Sequence, residues 1–91
     1  MPYHCVYVLK SRRDGDNYVG CTNNLKLRLK KYNLGQAYST KNRRPLDLIY
    51  AETFLNQQDA YTREKFLKSG WGKSYIKKVL KNYFRSKKLG G

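Results

Sequence analysis

Two tyrosines and an arginine near the amino terminus have the types and the spacing of a chemical site. Tyr7 and Tyr18 stand on either side of an Asp-Gly turn signal at residues 14–15, and Arg28 follows in the next segment. If that turn joins two antiparallel strands, Tyr18 lies opposite Leu9, and Tyr7 is its diagonal neighbour on the same face. The two phenols are then close enough to share a site, and Arg28 can reach across to the sheet while its stem packs.

Glu64 is a further candidate because it lies inside the predicted apolar stripe of a helix. The stripe runs through Ala60 and Leu67 in a helix that Asn56 can cap. An inward carboxylate is costly unless it is paired or binds a cation. The ordinary explanation is an ion pair with Lys68, one helical turn further on and worth roughly 0.3 kcal/mol, and spacing alone favours that pair.

Three strands and three helices are predicted around these residues. The strands cover 3–10, the return segment 18–21 and 46–54, and the helices run from about Leu25 to Gly35, from Asn56 to Lys68 and from Lys73 to Lys88. Alternation over 3–10 makes the first strand apolar on both faces. Common buried faces are expected for Leu25, Leu29 and Tyr32 in the first helix, for Leu46, Leu48, Tyr50 and Phe54 in the third strand, and for Ile76, Val79, Leu80 and Tyr83 in the last helix.

Length and composition predict one folded domain. The 91 residues are 40% hydrophobic and include nine tyrosines, three phenylalanines and one tryptophan, whereas disordered chains are poor in aromatic residues. We expect a single domain over 1–91, with a core at about 3–84 and a basic tail at 85–91.

A strong excess of positive charge indicates a polyanionic partner. Twenty Lys and Arg side chains oppose six Asp and Glu, which gives a formal net charge of +14 and a pI of about 10.0. Nucleic acid is the leading candidate, and a membrane surface or an acidic protein is the rival. The chain has no apolar run of transmembrane length and no signal-peptide pattern, so a cytoplasmic protein without a membrane partner is expected. Cys5, Cys21 and the lone His4 lack the spacing of a zinc site.

Two basic segments are candidate contacts for a phosphate backbone. Residues 36–45 form a loop that is either a solvated connection or a phosphate-binding arm, and the two interpretations have equal weight. The donors of such an arm would be Ser39, Thr40, Lys41, Arg43 and Arg44. The last predicted helix places rows of lysine, including Lys73 and Lys77, beside its apolar stripe. Such a helix can bind a membrane or a partner, and more simply it packs on the sheet and presents its lysines to nucleic acid.

The order of these motifs resembles that of the GIY-YIG nuclease superfamily, and most closely its small single-domain members of the UPF0213 type. The first naming triplet corresponds to Cys5-Val6-Tyr7 and the second to Tyr18-Val19-Gly20. The resemblance continues through TNNLKLRL at 22–29, STKNRRPL at 39–46, LIYAE at 48–52 and DAYTREKFLKSGWGKSYIK at 59–77, and so covers nearly the whole chain.

The resemblance implies a fold and a set of site residues. The fold is α/β, of the α+β kind, with a three-stranded antiparallel sheet flanked by about three helices. Tyr7 and Tyr18 are then the motif tyrosines, Arg28 the motif arginine, Tyr32 the position where relatives carry histidine or tyrosine, and Glu64 the ligand of a divalent cation, Mg²⁺ or Mn²⁺. With the resemblance included, the cation explanation of Glu64 is favoured over the ion pair.

The same resemblance implies a metal-dependent endonuclease that hydrolyses phosphodiester bonds, with DNA favoured over RNA. The alternative is a nucleic-acid-binding module that keeps this fold and lacks significant turnover. Two departures bear on the choice, since Cys21 stands where some relatives have lysine and Ile76 where larger relatives have asparagine. Relatives such as UvrC and the homing endonucleases rely on further domains, so a protein partner that supplies specificity is also implied.

Overall fold

The computed structural model describes residues 3–90, with the side chains of 3–86, and these residues form a three-stranded sheet and four α-helices. The strands are β1 (His4–Ser11), β2 (Asn17–Thr22) and β3 (Leu46–Phe54). The helices are α1 (Leu25–Asn33), α2 (Gln57–Lys68), α3 (Gly70–Val79) and α4 (Lys81–Gly90), and a 3₁₀ turn at Lys41–Arg43 lies between α1 and β3. The predicted three-stranded α+β fold is confirmed, with one helix more than the sequence indicated.

β1 is the central strand of an antiparallel sheet in the order β2-β1-β3. Its residues from Cys5 to Leu9 are all buried, as expected for a strand with apolar side chains on both faces. In the hairpin with β2, Leu9 pairs with Tyr18 and Tyr7 pairs with Gly20, which is the predicted register. β2 forms one edge of this sheet, and at an edge the side chains of both faces can approach each other.

Alternating side chains of β1 divide the apolar core into two clusters. One cluster lies under α2 and α3 and comprises Val6, Val8, Ala60, Leu67 and Ile76. The other lies under α1 and comprises Tyr7, Leu9 and Leu46, against which Leu25, Leu29 and Tyr32 pack as predicted. Since each fully buried large apolar side chain contributes about 1.5–3 kcal/mol, these clusters hold α1 and α2 on opposite faces of the sheet.

Asparagine caps fix the start of both helices that carry candidate site residues. The Asn24 side chain accepts a hydrogen bond from the first turn of α1, and the Asn56 side chain does the same for α2, as the sequence predicts. α1 is terminated by Gly35, whose φ of +77° is a left-handed conformation, and the Gly35 amide donates to the Tyr32 carbonyl. These caps define where each helix starts and therefore which of its residues face the sheet.

A bulge in β3 changes the faces that its side chains occupy. The pairing with β1 shifts register between Val8 and Leu9, so β3 has one extra residue at this point. Leu46 therefore packs in the cluster under α1, whereas Tyr50 and Phe54 pack in the cluster under α2. The predicted common face for these three residues is wrong, because strict alternation does not continue through a bulge.

The SGWG segment forms a tight corner between α2 and α3. Ser69 ends α2 and caps α3, with its Oγ accepting the Gly72 amide at 3.2 Å. α3 therefore begins at Gly70. The predicted start at Lys73, after the two glycines, is wrong. Gly72 is buried against the backbone of Phe66 and Leu67, and a Cβ at this position would overlap both.

The last helical segment is divided in two. Leu80 departs from helical geometry, with φ −104° and ψ 27°, so α3 ends at Val79 and α4 begins at Lys81. The single helix predicted over 73–88 is therefore wrong, and α4 continues into the predicted tail as far as Gly90. Val79, predicted to be buried, is 47% exposed. None of the helices, as far as they are described, is both long and apolar enough to cross a membrane.

Replacing Gly72 with alanine is expected to destabilise the fold. The added Cβ would overlap backbone atoms of α2, which cannot move aside as the end of a side chain can, so the free energy of unfolding should fall by about 2 kcal/mol. Gly70→Ala is the matched control, since a Cβ at Gly70 meets no atom within 4 Å and alanine favours a helix by up to about 1 kcal/mol over glycine. Urea unfolding measures the difference, and equal stability of the two variants would contradict the close approach at Gly72.

Candidate active site

Tyr7 and Tyr32 form a pair of phenols between β1 and α1. Tyr7 is only 1% exposed, and its hydroxyl is hydrogen-bonded to that of Tyr32 at 3.0 Å. The two rings meet edge to face at a centroid distance of 6.1 Å. Gly20 allows this arrangement, because a Cβ at that position would overlap the Tyr7 hydroxyl. The glycine of the second motif triplet thus makes room for the tyrosine of the first.

Arg28 lies close enough to Tyr7 to affect its ionisation. Burial is the largest effect and raises the pKa of Tyr7 above its usual value, and the hydrogen bond with Tyr32 raises it further. The guanidinium of Arg28 acts in the opposite direction and lowers the pKa of Tyr7. Arg28 is therefore the positive charge that a phenolate at Tyr7 would face.

Tyr18 is directed to the hairpin turn rather than to Tyr7. Its hydroxyl donates a hydrogen bond to Asp14 Oδ2 at 3.1 Å, and Arg43 Nε lies 3.2 Å from the same oxygen. Partial burial, and then the Asp14 carboxylate, raise the pKa of Tyr18. Tyr7 and Tyr18 pack in the same cluster under α1, but the hydroxyl partner of Tyr7 is Tyr32, which spacing alone does not reveal.

Glu64 is partly buried and paired with Lys68. The Glu64 side chain is 22% exposed, and Lys68 Nζ lies 3.0 Å from its Oε2. The ion pair that the spacing favours is therefore present. A pair of this kind contributes only roughly 0.3 kcal/mol, so it does not by itself account for a carboxylate held largely out of bulk water.

Cys21 connects Glu64 with Arg28 at the edge of the sheet. Burial raises the pKa of the Cys21 thiol, the Glu64 carboxylate raises it further, and the Arg28 guanidinium lowers it. Cys21 and Arg28 also border the same small cavity. α1 carries Arg28 and α2 carries Glu64, so the edge strand β2 is where residues from opposite faces come together. Sequence reasoning missed this role of Cys21, because no spacing rule relates two helices across an edge strand.

The candidate residues line two cavities along β2. The smaller cavity, of about 220 Å³, has Arg28 and Cys21 in its wall. The larger cavity, of about 360 Å³, has Tyr18, Tyr32, Lys68 and Lys73 in its wall. Glu64 lines neither cavity directly and is connected to the larger one through its partner Lys68.

The basic residues of the 36–45 loop are partly engaged in holding the loop itself. Arg43 pairs with an aspartate of the hairpin turn, and Arg44 Nε donates to the Lys41 carbonyl at 2.8 Å. Lys41 Nζ lies 5.0 Å from the centroid of the Tyr38 ring, and both residues are exposed. The loop is therefore more ordered than a solvated connection, and Lys41 keeps its ammonium at the surface.

Lys73 and Lys77 lie one turn apart on α3, and both are exposed. Lys73 differs from Lys77 in that it also borders the larger cavity. Of the five predicted phosphate contacts, Lys73 is thus the one that lines this cavity with Tyr18 and Tyr32.

The donor set around Glu64 is small. Within the described residues, no group of three or more His, Cys, Asp and Glu side chains is arranged to hold a metal ion. A single carboxylate nevertheless suits a hard cation such as Mg²⁺, which keeps several waters and is often completed by substrate phosphates. The Lys68 ammonium shows that Glu64 accommodates a positive charge at hydrogen-bonding distance. The residues present therefore fit one divalent cation at Glu64.

Stability should decrease at high pH through Tyr7. A tyrosine in the unfolded chain has a pKa of about 10, and the pKa of folded Tyr7 is higher. Above pH ~10 the unfolded chain therefore loses a proton that the native state retains, so the free energy of unfolding falls as the pH rises. Tyr7→Phe removes this contribution, and its unfolding free energy should fall less steeply than that of wild type between about pH 9 and 11. Urea unfolding at a series of pH values measures both slopes.

Tyr38→Phe is the control, because Tyr38 is 87% exposed. This variant should keep the wild-type slope. Tyr50 also has a raised pKa, from burial and from its hydrogen bond with Tyr75, so part of the slope remains in Tyr7→Phe. A Tyr7→Phe variant with the full wild-type slope would contradict a neutral, buried phenol at Tyr7.

Comparisons with known proteins identify the family of the chain. Residues 3–85 match the family model described as the GIY-YIG catalytic domain. A UPF0213 protein of Pediococcus pentosaceus is 46% identical over 77 residues, which are 84% of this chain and 80% of that protein. A UPF0213 protein of Clostridium perfringens is 44% identical over 64 residues, which are 69% of this chain and 68% of that protein.

A solved structure shows the same fold. The solution NMR structure of a UPF0213 protein from Bacillus halodurans is similar to this chain, with a TM-score of 0.55 and 30% sequence identity. The match covers 85% of this chain and 84% of that chain. The chain therefore belongs to the GIY-YIG nuclease superfamily, among its UPF0213 members.

Proposed function

We propose that this chain is a metal-dependent endonuclease that hydrolyses phosphodiester bonds of nucleic acid, with DNA as the expected substrate. The observation that carries the proposal is the Tyr7–Tyr32 hydroxyl pair, packed against Gly20 of the second motif triplet, in a chain that matches the GIY-YIG catalytic domain. Glu64 pairs with Lys68, and none of the ion pairs between described residues includes Arg28. A guanidinium without a carboxylate partner is available to an anionic substrate.

Arg28 binds a non-bridging phosphate oxygen in this proposal. Its planar guanidinium can donate two parallel hydrogen bonds to a phosphate, and its charge offsets the negative charge that develops in the transition state. The smaller cavity gives a phosphate access to Arg28. Tyr18, from the wall of the larger cavity, orients the attacking water or the phosphate.

The Tyr7–Tyr32 pair takes the proton of the attacking water as a phenolate, after it has lost one of its own two protons. Tyr7 is too buried to meet water directly, but Tyr32 lines the larger cavity and shares a hydrogen bond with Tyr7. A phenolate in this pair is stabilised by Arg28, whose charge lowers the pKa of Tyr7. Because burial raises that pKa, the pair is neutral at neutral pH and must release one proton to solvent before it can act as the base.

Glu64 holds the divalent cation, Mg²⁺ or Mn²⁺. When bound, such an ion polarises the phosphate and stabilises the leaving oxyanion. Lys68 forms an ion pair with the Glu64 carboxylate in the free protein. Such a pair is worth roughly 0.3 kcal/mol, so a divalent cation can displace the ammonium. Lys68 also borders the larger cavity, so its ammonium can bind phosphate once Glu64 releases it.

The basic surface supplies affinity without choosing a sequence. Lys41, Arg43, Arg44, Lys73 and Lys77 contact backbone phosphates in this proposal, in keeping with the net charge of +14. Such contacts position a protein on a nucleic acid but do not read its bases. A protein partner that supplies specificity is therefore part of the proposal.

Glu64→Ala and Arg28→Ala should each reduce cleavage by about 100-fold or more, since each removes a group that acts on charge in the transition state. The assay is nicking of supercoiled plasmid with Mg²⁺ or Mn²⁺, and chelation of the metal should abolish it. Asp59→Asn, on the same helix as Glu64, and Lys30→Ala, on the same helix as Arg28, are matched controls that should retain wild-type activity. Undiminished activity in both site variants would eliminate the proposal.

The second candidate is a nucleic-acid-binding module with the same fold and little turnover. The raised pKa of Tyr7 and the Lys68 ammonium on Glu64 favour it, since both describe groups whose charge state is wrong for catalysis. Such a module would bind DNA with an affinity that falls with salt and survives Glu64→Ala. Wild-type protein would then show no metal-dependent nicking, so the plasmid assay separates the two functions.

A further inference from the structure

Thr40 has a buried hydroxyl that forms no hydrogen bond within the described part of the chain. The residue is 2% exposed, and its Oγ1 has no partner among the described residues. Thr40 directly precedes the 3₁₀ turn, where threonine commonly caps the first amides, yet its side chain forms no capping bond. A buried hydroxyl without a partner costs about 1–3 kcal/mol, so its retention here calls for a ligand.

The larger cavity provides the surroundings in which this hydroxyl would meet a ligand. Thr40 lies in its wall, together with the polar side chains of Asn17, Tyr18, Tyr32, Ser39, Lys68 and Lys73. The wall contains two ammonium groups and no carboxylate. Lys68 is paired with Glu64, which lies outside the wall, whereas Lys73 has no part in the ion pairs between described residues. The Lys73 ammonium together with the hydroxyl and amide donors is suited to an anionic ligand.

The stability of α3 does not explain Lys73. It lies in the first turn of the helix, where the helix dipole disfavours a positive charge, and no acidic residue in that turn offsets it. Lys73 also takes no part in the ion pairs between described residues. Its ammonium therefore adds to a positive potential that the fold leaves uncompensated beside Thr40.

The rest of the wall indicates what is attached to the anion. Val19, Leu67 and Ile76 contribute apolar surface beside the two tyrosine rings. A volume of about 360 Å³ is at the lower end of ligand pockets, which span roughly 300–1,000 Å³, and exceeds what a lone oxyanion needs. A phosphate with its attached sugar uses both the polar and the apolar parts of this wall.

We propose that the larger cavity binds a phosphate group of the substrate strand, next to the phosphate that is cleaved. The Thr40 hydroxyl donates a hydrogen bond to a phosphate oxygen, and the Lys73 ammonium supplies the opposite charge. Tyr18 and Tyr32 belong both to this wall and to the candidate active site, which makes the two phosphates neighbours. The assignment of this phosphate to a substrate strand rests on the proposed endonuclease function, whereas the binding of phosphate in the cavity does not.

The test is an NMR titration of the full chain without metal, so that cleavage is absent. Inorganic phosphate and dithymidine monophosphate, which contains one phosphodiester, are added separately at constant ionic strength. Both probes should give saturable amide shifts at Ser39, Thr40 and Lys73. Thr40→Val and Lys73→Ala should each weaken the affinity by about tenfold, because each removes a hydrogen bond to a charged ligand.

Two matched variants test whether the effect belongs to the cavity. Thr40→Ser keeps the hydroxyl, and Lys78→Ala removes a charge from the same helix outside the cavity wall, so both should retain the wild-type affinity. Thr40→Val should also unfold at the wild-type temperature or above it, since a methyl group replaces a hydroxyl without a partner.

Four results would overturn the proposal. They are shifts that do not saturate, shifts confined to other basic surfaces, an unchanged affinity in Thr40→Val, and a lowered unfolding temperature in Thr40→Val, which would mean that the hydroxyl serves the fold. Binding of inorganic phosphate but not of the dinucleotide would overturn the assignment to a strand. Because the titration contains no metal, its outcome is independent of the plasmid assay.

Discussion

The burial of β1 on both faces is the constraint on which the rest of the structure depends. The run from Cys5 to Leu9 is shielded from water on both sides, so helices must cover each face of a sheet that has only three strands in the described residues. α1 covers one face and α2 the other, and the edge strand β2 is where the two layers meet. Arg28 on α1 and Glu64 on α2 therefore come from helices on opposite faces of the sheet.

The same burial has a chemical consequence for Tyr7. Removal of the phenol from water disfavours its ionised form. The Tyr32 hydroxyl gives the buried Tyr7 hydroxyl a hydrogen-bond partner without adding a charge. In the proposed mechanism, stability and catalysis make opposite demands on this residue, because the fold favours the neutral phenol and a general base must lose its proton. Among the described groups, Arg28 lowers the pKa of Tyr7 and so opposes the effect of burial and of the hydrogen bond with Tyr32.

Features that depend on neighbouring residues could be predicted from the sequence, and features that depend on distant packing could not. The hairpin register, the asparagine caps and the Glu64–Lys68 pair each follow from residues a few positions apart. The bulge in LDLIYAETF carries no glycine to mark it, and the break at Leu80 interrupts a continuous helical period. Two other features arise only when α1, α2 and the basic loop are assembled around β2. They are the effect of Glu64 and Arg28 on the pKa of Cys21 and the place of Thr40 in a cavity wall.

The most direct measurement is a crystal of the protein soaked with Mn²⁺, with diffraction recorded at the manganese absorption edge. We predict an anomalous difference peak at the Glu64 carboxylate, with the Lys68 ammonium moved away from it and the Arg28 guanidinium at the same edge of β2. A manganese peak elsewhere, with Glu64 still bound to Lys68, would contradict the assignment of this carboxylate as the metal ligand.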